Sequence, residues 1–162
     1  MPPTVTIVSK QAIPGPIYLD ASAWVKLYLP EPHSRALNAA LVGRSDVFVS
    51  DLGATEVASA LGRACRERRL DRVSARRLQR TLRQHVESHL VQRLELTLKV
   101  HVEAERLLLD AQTVPLRAAD ALHVALARVA DAASVVTYDP RLAVAARTVG
   151  LVVAAPGQPD AT

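Results

Sequence analysis

The chain has 162 residues, 20 Lys plus Arg against 16 Asp plus Glu, 49% hydrophobic and 3% aromatic residues, and a single cysteine. That length suits one domain with one core, and an apolar fraction rich in Ala, Leu and Val excludes disorder for most of the chain. Cys65 alone makes neither an internal disulfide nor a thiolate zinc cage, and no apolar run reaches the roughly 18 to 20 residues of a membrane span. A reducing cytoplasm is the expected compartment.

Residues 1–16 carry four prolines and no usable period, which predicts a flexible leader ahead of a domain over 17–155 and a C-terminal tail over 156–162. Residues 17–20 read as a strand ending in Asp20. A helix follows over 21–29, with Ala23, Trp24, Leu27 and Tyr28 at helical spacing and a stop at Pro30 and Pro32. Residues 34–42 form a helix closed by Gly43, and 47–50 a second strand. Ser50 or Asp51 can cap a long helix to about residue 70, with Ala54, Val57, Ala58, Leu61 and Cys65 as its apolar stripe.

A helix over 74–89, a third strand within 90–97 and a helix over 100–112 come next. The chain then gives a helix over 117–130, a strand over 134–137, a helix over 140–148 closed by Gly150, and a last strand over 151–153. Short, continuously apolar strands alternating with helices favour parallel pairing with both sheet faces covered. The expected fold class is therefore α/β, a three-layer α/β/α sandwich around a mostly parallel sheet.

In such sheets ligands bind outside the C-terminal ends of the strands. Asp20 directly follows the first strand, and Asp139 lies just past the strand ending at Thr137. Asp120 sits in LRAADALHVALARVA, a helix apolar nearly all round and hence buried, so its carboxylate needs a partner. Glu56 lies about one turn into the helix after the second strand, and topology alone brings it to the same edge. Four converging carboxylates raise each other's pKa unless a cation sits between them. Oxygen-only donors favour Mg²⁺ or Mn²⁺, and the implied reaction is metal-assisted phosphodiester hydrolysis.

Four blocks of the sequence then carry a family resemblance: IYLDASAWVKLYLPEP, SDLGATEVASALGRA, LRAADALHVALA and VVTYDPRLAVAARTVGL, in that order between residues 17 and 154. Together they resemble the PIN-domain ribonucleases, most closely the VapC toxins of bacterial toxin–antitoxin pairs. The resemblance implies that Asp20, Glu56, Asp120 and Asp139 are the catalytic acids holding Mg²⁺ or Mn²⁺, with Ser22 and Thr137 in supporting hydroxyl positions. It further implies an endoribonuclease that leaves a 5′-phosphate and a 3′-hydroxyl, forms a homodimer, and is silenced by a VapB-like antitoxin.

Each acid also has a plainer reading. Asp20 alone could be a helix N-cap, Asp139 before Pro140 a turn or cap residue, and Glu56 a solvated helix residue. His123, one turn from Asp120, could orient that acid or touch RNA, but it reads first as a satisfied core histidine and stands outside the catalytic set. His85 and His89 are four apart, but the intervening Glu87 is misplaced for HExxH. Lys26 is a phosphate contact or a surface lysine. Trp24, Leu27 and Tyr28 belong to the core or a subunit interface.

Nine arginines (63, 66, 68, 69, 72, 76, 77, 80 and 83) crowd the two middle helices. They either steer RNA phosphates or simply solvate a helical hairpin. The competing functions are an RNA-processing nuclease without an antitoxin and a non-catalytic RNA-binding module. A haloacid-dehalogenase-like phosphatase is set aside, because Ala-Ser-Ala-Trp follows Asp20 where those enzymes carry a second aspartate and glycine.

Overall fold

A computed structural model describes residues 12–111 and 115–159. Most of the predicted leader, the predicted end of one helix at residue 112 and the last three residues of the tail lie outside the described residues. Five strands, β1 (Ile17–Leu19), β2 (Val47–Ser50), β3 (Gln92–Leu94), β4 (Ser134–Val136) and β5 (Val152–Ala154), pair in the order β3-β2-β1-β4-β5. Every pairing is parallel; Tyr18 sits opposite Phe48 of β2 and Val135 of β4.

The helices are α1 (Ala21–Trp24), α2 (Ser34–Leu41), α3 (Asp51–Arg66), α4 (Arg72–Glu87), α5 (Leu98–Asp110), α6 (Ala118–Val129) and α7 (Pro140–Thr148). Successive side chains of β1 point to opposite faces. Ile17 and Leu19 enter a core with Trp24, Val57, Leu61 and Leu82, whereas Tyr18 enters the other core with Val124, Leu126 and Leu142. Those two cores are the two interlayer spaces of the three-layer sandwich, and β1, buried throughout, lies between them.

Local chemistry sets the helix starts. Side chains of Asp20, Ser50, Asp71, Thr97 and Asp139 accept backbone N–H groups at the first turns of α1, α3, α4, α5 and α7, caps worth about 1 kcal/mol each. Helix ends agree less well with the sequence reading. The helix predicted over 21–29 is a single α turn followed by a 3-10 turn (Val25–Leu27), the tightened ending common at helix termini and one that Pro30 keeps from extending.

α3 stops at Arg66, short of the expected residue 70, because Arg68 takes a left-handed φ of 57° and Leu70 bonds back to the Ala64 carbonyl. That cap normally advertises itself with glycine; here an arginine fills it. The stripe of α3 is also rotated from expectation. Gly53, Val57, Leu61 and Ala64 are buried while Ala58 is exposed. β3 contracts to three residues at the sheet edge, where it has one neighbour only. Residues 13–16 are tied to the domain: Ser134 donates to the Pro14 carbonyl, Arg44 to that of Ile13, and Ala133 to that of Pro16.

Candidate active site

The strand order reverses between β1 and β4, since β2 and β3 extend to one side and β5 to the other. A crevice opens at such a point beyond the strand C-termini. Asp20 follows β1, Thr137 and Asp139 follow β4, and Asp120 lies in the first turn of α6. Glu56 is one turn into α3, which begins where β2 ends.

Asp20 is buried, with 4% of its surface exposed. Its Oδ1 accepts the Ala23 N–H at 2.9 Å, its Oδ2 accepts the Thr137 hydroxyl at 2.8 Å, and the Ser22 hydroxyl lies 2.8 Å from both oxygens. The two hydroxyls are themselves anchored. Ser22 Oγ accepts the Tyr138 N–H at 2.9 Å, and Thr137 Oγ1 accepts the Asp139 N–H at 3.0 Å. Ser22 and Thr137 thus stitch the end of β1 to the end of β4 through Asp20.

Burial pushes the Asp20 carboxyl above its usual range despite these donors. Burial also raises Asp120, and the neighbouring Asp139 raises it further, while a hydrogen bond from the Arg117 backbone and the Arg117 guanidinium hold it down. Asp139 caps α7 through a 2.8 Å bond from the Arg141 N–H, so its cap role holds without removing it from the Asp120 neighbourhood. Burial and then Asp20 push the Tyr138 phenol up to about 12.

Among the described residues Asp20, Asp120 and Asp139 make no ion pair; these three differ in this from Asp46, Asp51 and Glu103, which pair with arginines. Buried carboxylates without a cationic side chain are costly, and an all-oxygen donor set fits a hard divalent ion. The side chains do not already form a closed cage: among the described residues no three His, Cys, Asp or Glu converge to ligand distance. Both Asp20 oxygens are occupied by donors, and Glu56 is turned toward His123.

His123 is the residue that sequence reasoning undervalued. It is 4% exposed, and its Nε2 lies 2.7 Å from Glu56 Oε2 while its Nδ1 lies 2.7 Å from the Tyr18 hydroxyl. Tyr18 continues to Ser50 Oγ at 2.8 Å, which accepts the Gly53 N–H at 3.0 Å. The core reading of His123 is correct, but one of its partners is Glu56, one of the four acids singled out from the sequence. The available signal was its three-residue offset from Asp120, which sets both on one face of α6.

Lys26 is engaged locally, donating to Glu31 at 2.8 Å beneath the Tyr138 ring. Trp24 is core. His85 bonds the Tyr28 hydroxyl through Nδ1 at 2.8 Å. Of the nine hairpin arginines only Arg69 is ion-paired among the described residues, with Glu67. Arg66, Arg72 and Arg76 line a hollow of about 410 Å³ between α3 and α4.

The chain belongs to the PIN-domain family: the family's pattern matches residues 17–148, which take in four strands of the parallel sheet and both helical layers. Among curated proteins it is similar to Ribonuclease VapC46 of Mycobacterium tuberculosis, with 38% identity over 145 residues that span 86% of this chain and 97% of the relative. Solved structures share the fold, two of them as follows. One is Mycobacterium tuberculosis VapC20, described as a sarcin–ricin loop cleaving toxin (TM-score 0.67, 18% identity, 86% of this chain and 99% of that one). The other is FitAcB from Neisseria gonorrhoeae (TM-score 0.68, 21% identity, 86% and 97%).

Proposed function

We propose that this chain is a metal-dependent endoribonuclease, the toxin of a type II toxin–antitoxin pair. Membership of the PIN family and the likeness to a named VapC ribonuclease support the reaction class. The observation that carries the site is the buried carboxylate of Asp20, held across the β1/β4 switch point by Thr137 and left without an ion-pair partner among the described residues, with Asp139 joined to the same Thr137 and Asp120 next to Asp139.

Asp20, Glu56, Asp120 and Asp139 are the residues proposed to hold Mg²⁺ or Mn²⁺. Such an ion supplies Lewis acidity and a water of lowered pKa. The protein's own part is orientation: Ser22 and Thr137 fix the Asp20 carboxylate, and α7, started by Asp139 and Pro140, fixes the rim beyond β4. Hydrolysis forms a bond from water oxygen to phosphorus and breaks the bond to the 3′ oxygen, giving a 5′-phosphate and a 3′-hydroxyl.

The partners proposed with this reading are an RNA substrate, a VapB-like antitoxin and a second copy of the chain, acting in the cytoplasm. Leu98, Val102 and Leu109 fall on one exposed stripe of α5, a surface that suits self-association. No helix of the described residues is long and apolar enough to cross a membrane.

The test is cleavage of end-labelled RNA with Mn²⁺, with EDTA and with Asp20→Asn. Cleavage that needs Mn²⁺, leaves 5′-phosphates and disappears in the variant supports the reading. RNA binding insensitive to EDTA with no cleavage would point instead to a non-catalytic module.

A further inference from the structure

Tyr18, Ser50 and His123 form a polar chain through an otherwise apolar interlayer core. Its steps are Gly53 N to Ser50 Oγ at 3.0 Å, Ser50 Oγ to Tyr18 Oη at 2.8 Å, Tyr18 Oη to His123 Nδ1 at 2.7 Å, and His123 Nε2 to Glu56 Oε2 at 2.7 Å. Both ends lie on α3, while the middle passes through β2, β1 and α6. A buried polar network is stable only if each donor and acceptor is used.

That condition fixes the protons. Gly53 N–H donates to Ser50 Oγ, so the Ser50 hydroxyl is left to donate to Tyr18 Oη. Tyr18 then donates to His123 Nδ1. With Nδ1 an acceptor, the ring proton sits on Nε2 and points at Glu56 Oε2. The reverse direction strands the buried Ser50 hydrogen, for which the described residues offer no other acceptor.

We propose that His123 is a positioning residue for Glu56: the Ser50–Tyr18 chain locks its Nε2–H onto Oε2, leaving Oε1 as the oxygen offered to the divalent cation. Among the described residues Oε1 has no hydrogen-bond partner. The Glu56 side chain is 36% exposed and rides on a helix whose surface would otherwise leave its rotamers free. The histidine supplies the orientation that a solvated glutamate lacks, as outer partners commonly do for metal ligands. The inference rests on the reading of Glu56 as one of the metal-holding acids.

The experiment measures Mn²⁺ affinity by titration calorimetry and the Mn²⁺ concentration for half-maximal RNA cleavage. It uses the full chain, His123→Ala, His123→Gln, Tyr18→Phe, and Asp20→Asn as control. His123→Ala is expected to weaken Mn²⁺ binding roughly 10- to 100-fold, the range seen for outer-shell partners, and to shift the half-maximal Mn²⁺ concentration by the same factor. His123→Gln, whose side-chain N–H can reach Glu56, restores most of that affinity. Tyr18→Phe releases the ring and gives a several-fold loss.

Unchanged Mn²⁺ affinity in His123→Ala, or equal losses in the Ala and Gln variants, overturns the positioning role. If His123→Ala does not fold, Tyr18→Phe decides: a several-fold loss supports the role, and wild-type affinity overturns it. Asp20→Asn separates the two readings. If it keeps full Mn²⁺ binding and cleavage, the metal site itself is wrong; if it loses both while the His123 and Tyr18 variants match wild type, only the positioning role fails.

Discussion

The Thr137 hydroxyl donates to Oδ2 of Asp20 across 2.8 Å, joining residues 117 positions apart at the ends of β4 and β1. Thr137 also accepts the Asp139 N–H, so one side chain sets two of the acids proposed to hold the cation. Removing the hydroxyl while keeping the shape, as in Thr137→Val, should lower Mn²⁺-dependent cleavage by about 10- to 100-fold. Thr137→Ser should recover most of it. Equal activity in the Val variant would show that the pairing is structural decoration.

The raised carboxyls make a pH prediction whose sign is fixed. Between the ordinary value of 3.8 and their elevated values, Asp20 and Asp120 bind more protons in the native state than in the unfolded chain. Metal-free stability from these two groups is therefore present at low pH and lost as pH rises through that window. Asp46, Asp71 and Glu103, held low by their partners, act in the opposite direction. The readout is accordingly the difference in Tm between Asp20→Asn and wild type in EDTA. It should grow in the variant's favour from pH 4 to pH 7; a difference independent of pH contradicts the assignment.

Three arginines without an ion-pair partner among the described residues fall on one face of α4. Arg72 and Arg76 face the hollow shared with Arg66, while Arg83 lines a second hollow beside Thr55, next to Glu56 in α3. Replacing all three with alanine should raise KM for RNA with kcat unchanged. The slope of log KM against log salt should fall by about 2, at roughly 0.7 per lost phosphate contact on single strands. An unaltered slope would return the hairpin to the role of a solvated surface.

Leu126 is 1% exposed in the core between α6 and the sheet. Leu126→Ala should cost about 2 to 5 kcal/mol in urea unfolding, while cleavage by the folded fraction persists. Loss of activity without loss of stability would mean that α6 positions its acid by some route other than core burial.

Much of this was legible in the chain. Ile17 to Asp20 and Ser134 to Asp139 show strand, carboxylate and cap in consecutive residues, and that local grammar sufficed to put two acids at one sheet edge. Asp120 stood out because its helix is apolar on nearly every side. What the sequence hid depends on three-dimensional pairing. The left-handed cap at Arg68 lacks glycine, so α3 ends where no local signal marks it. Glu56 is drawn to a histidine 67 positions away, and Tyr18 looks like any strand aromatic until its hydroxyl is seen against His123. Ser22 and Thr137 carry no periodic or charge signal; family resemblance alone pointed to them.

Direct titration of Mn²⁺ into the metal-free chain, with Asp20→Asn and Asp120→Asn in parallel, tests the central claim of a cation-holding acid cluster. Saturable binding by the wild type, weakened on the order of 100-fold or more in each variant, is the predicted result, since the loss of a direct ligand should exceed that of an outer partner. Indistinguishable Mn²⁺ binding by all three proteins would contradict it.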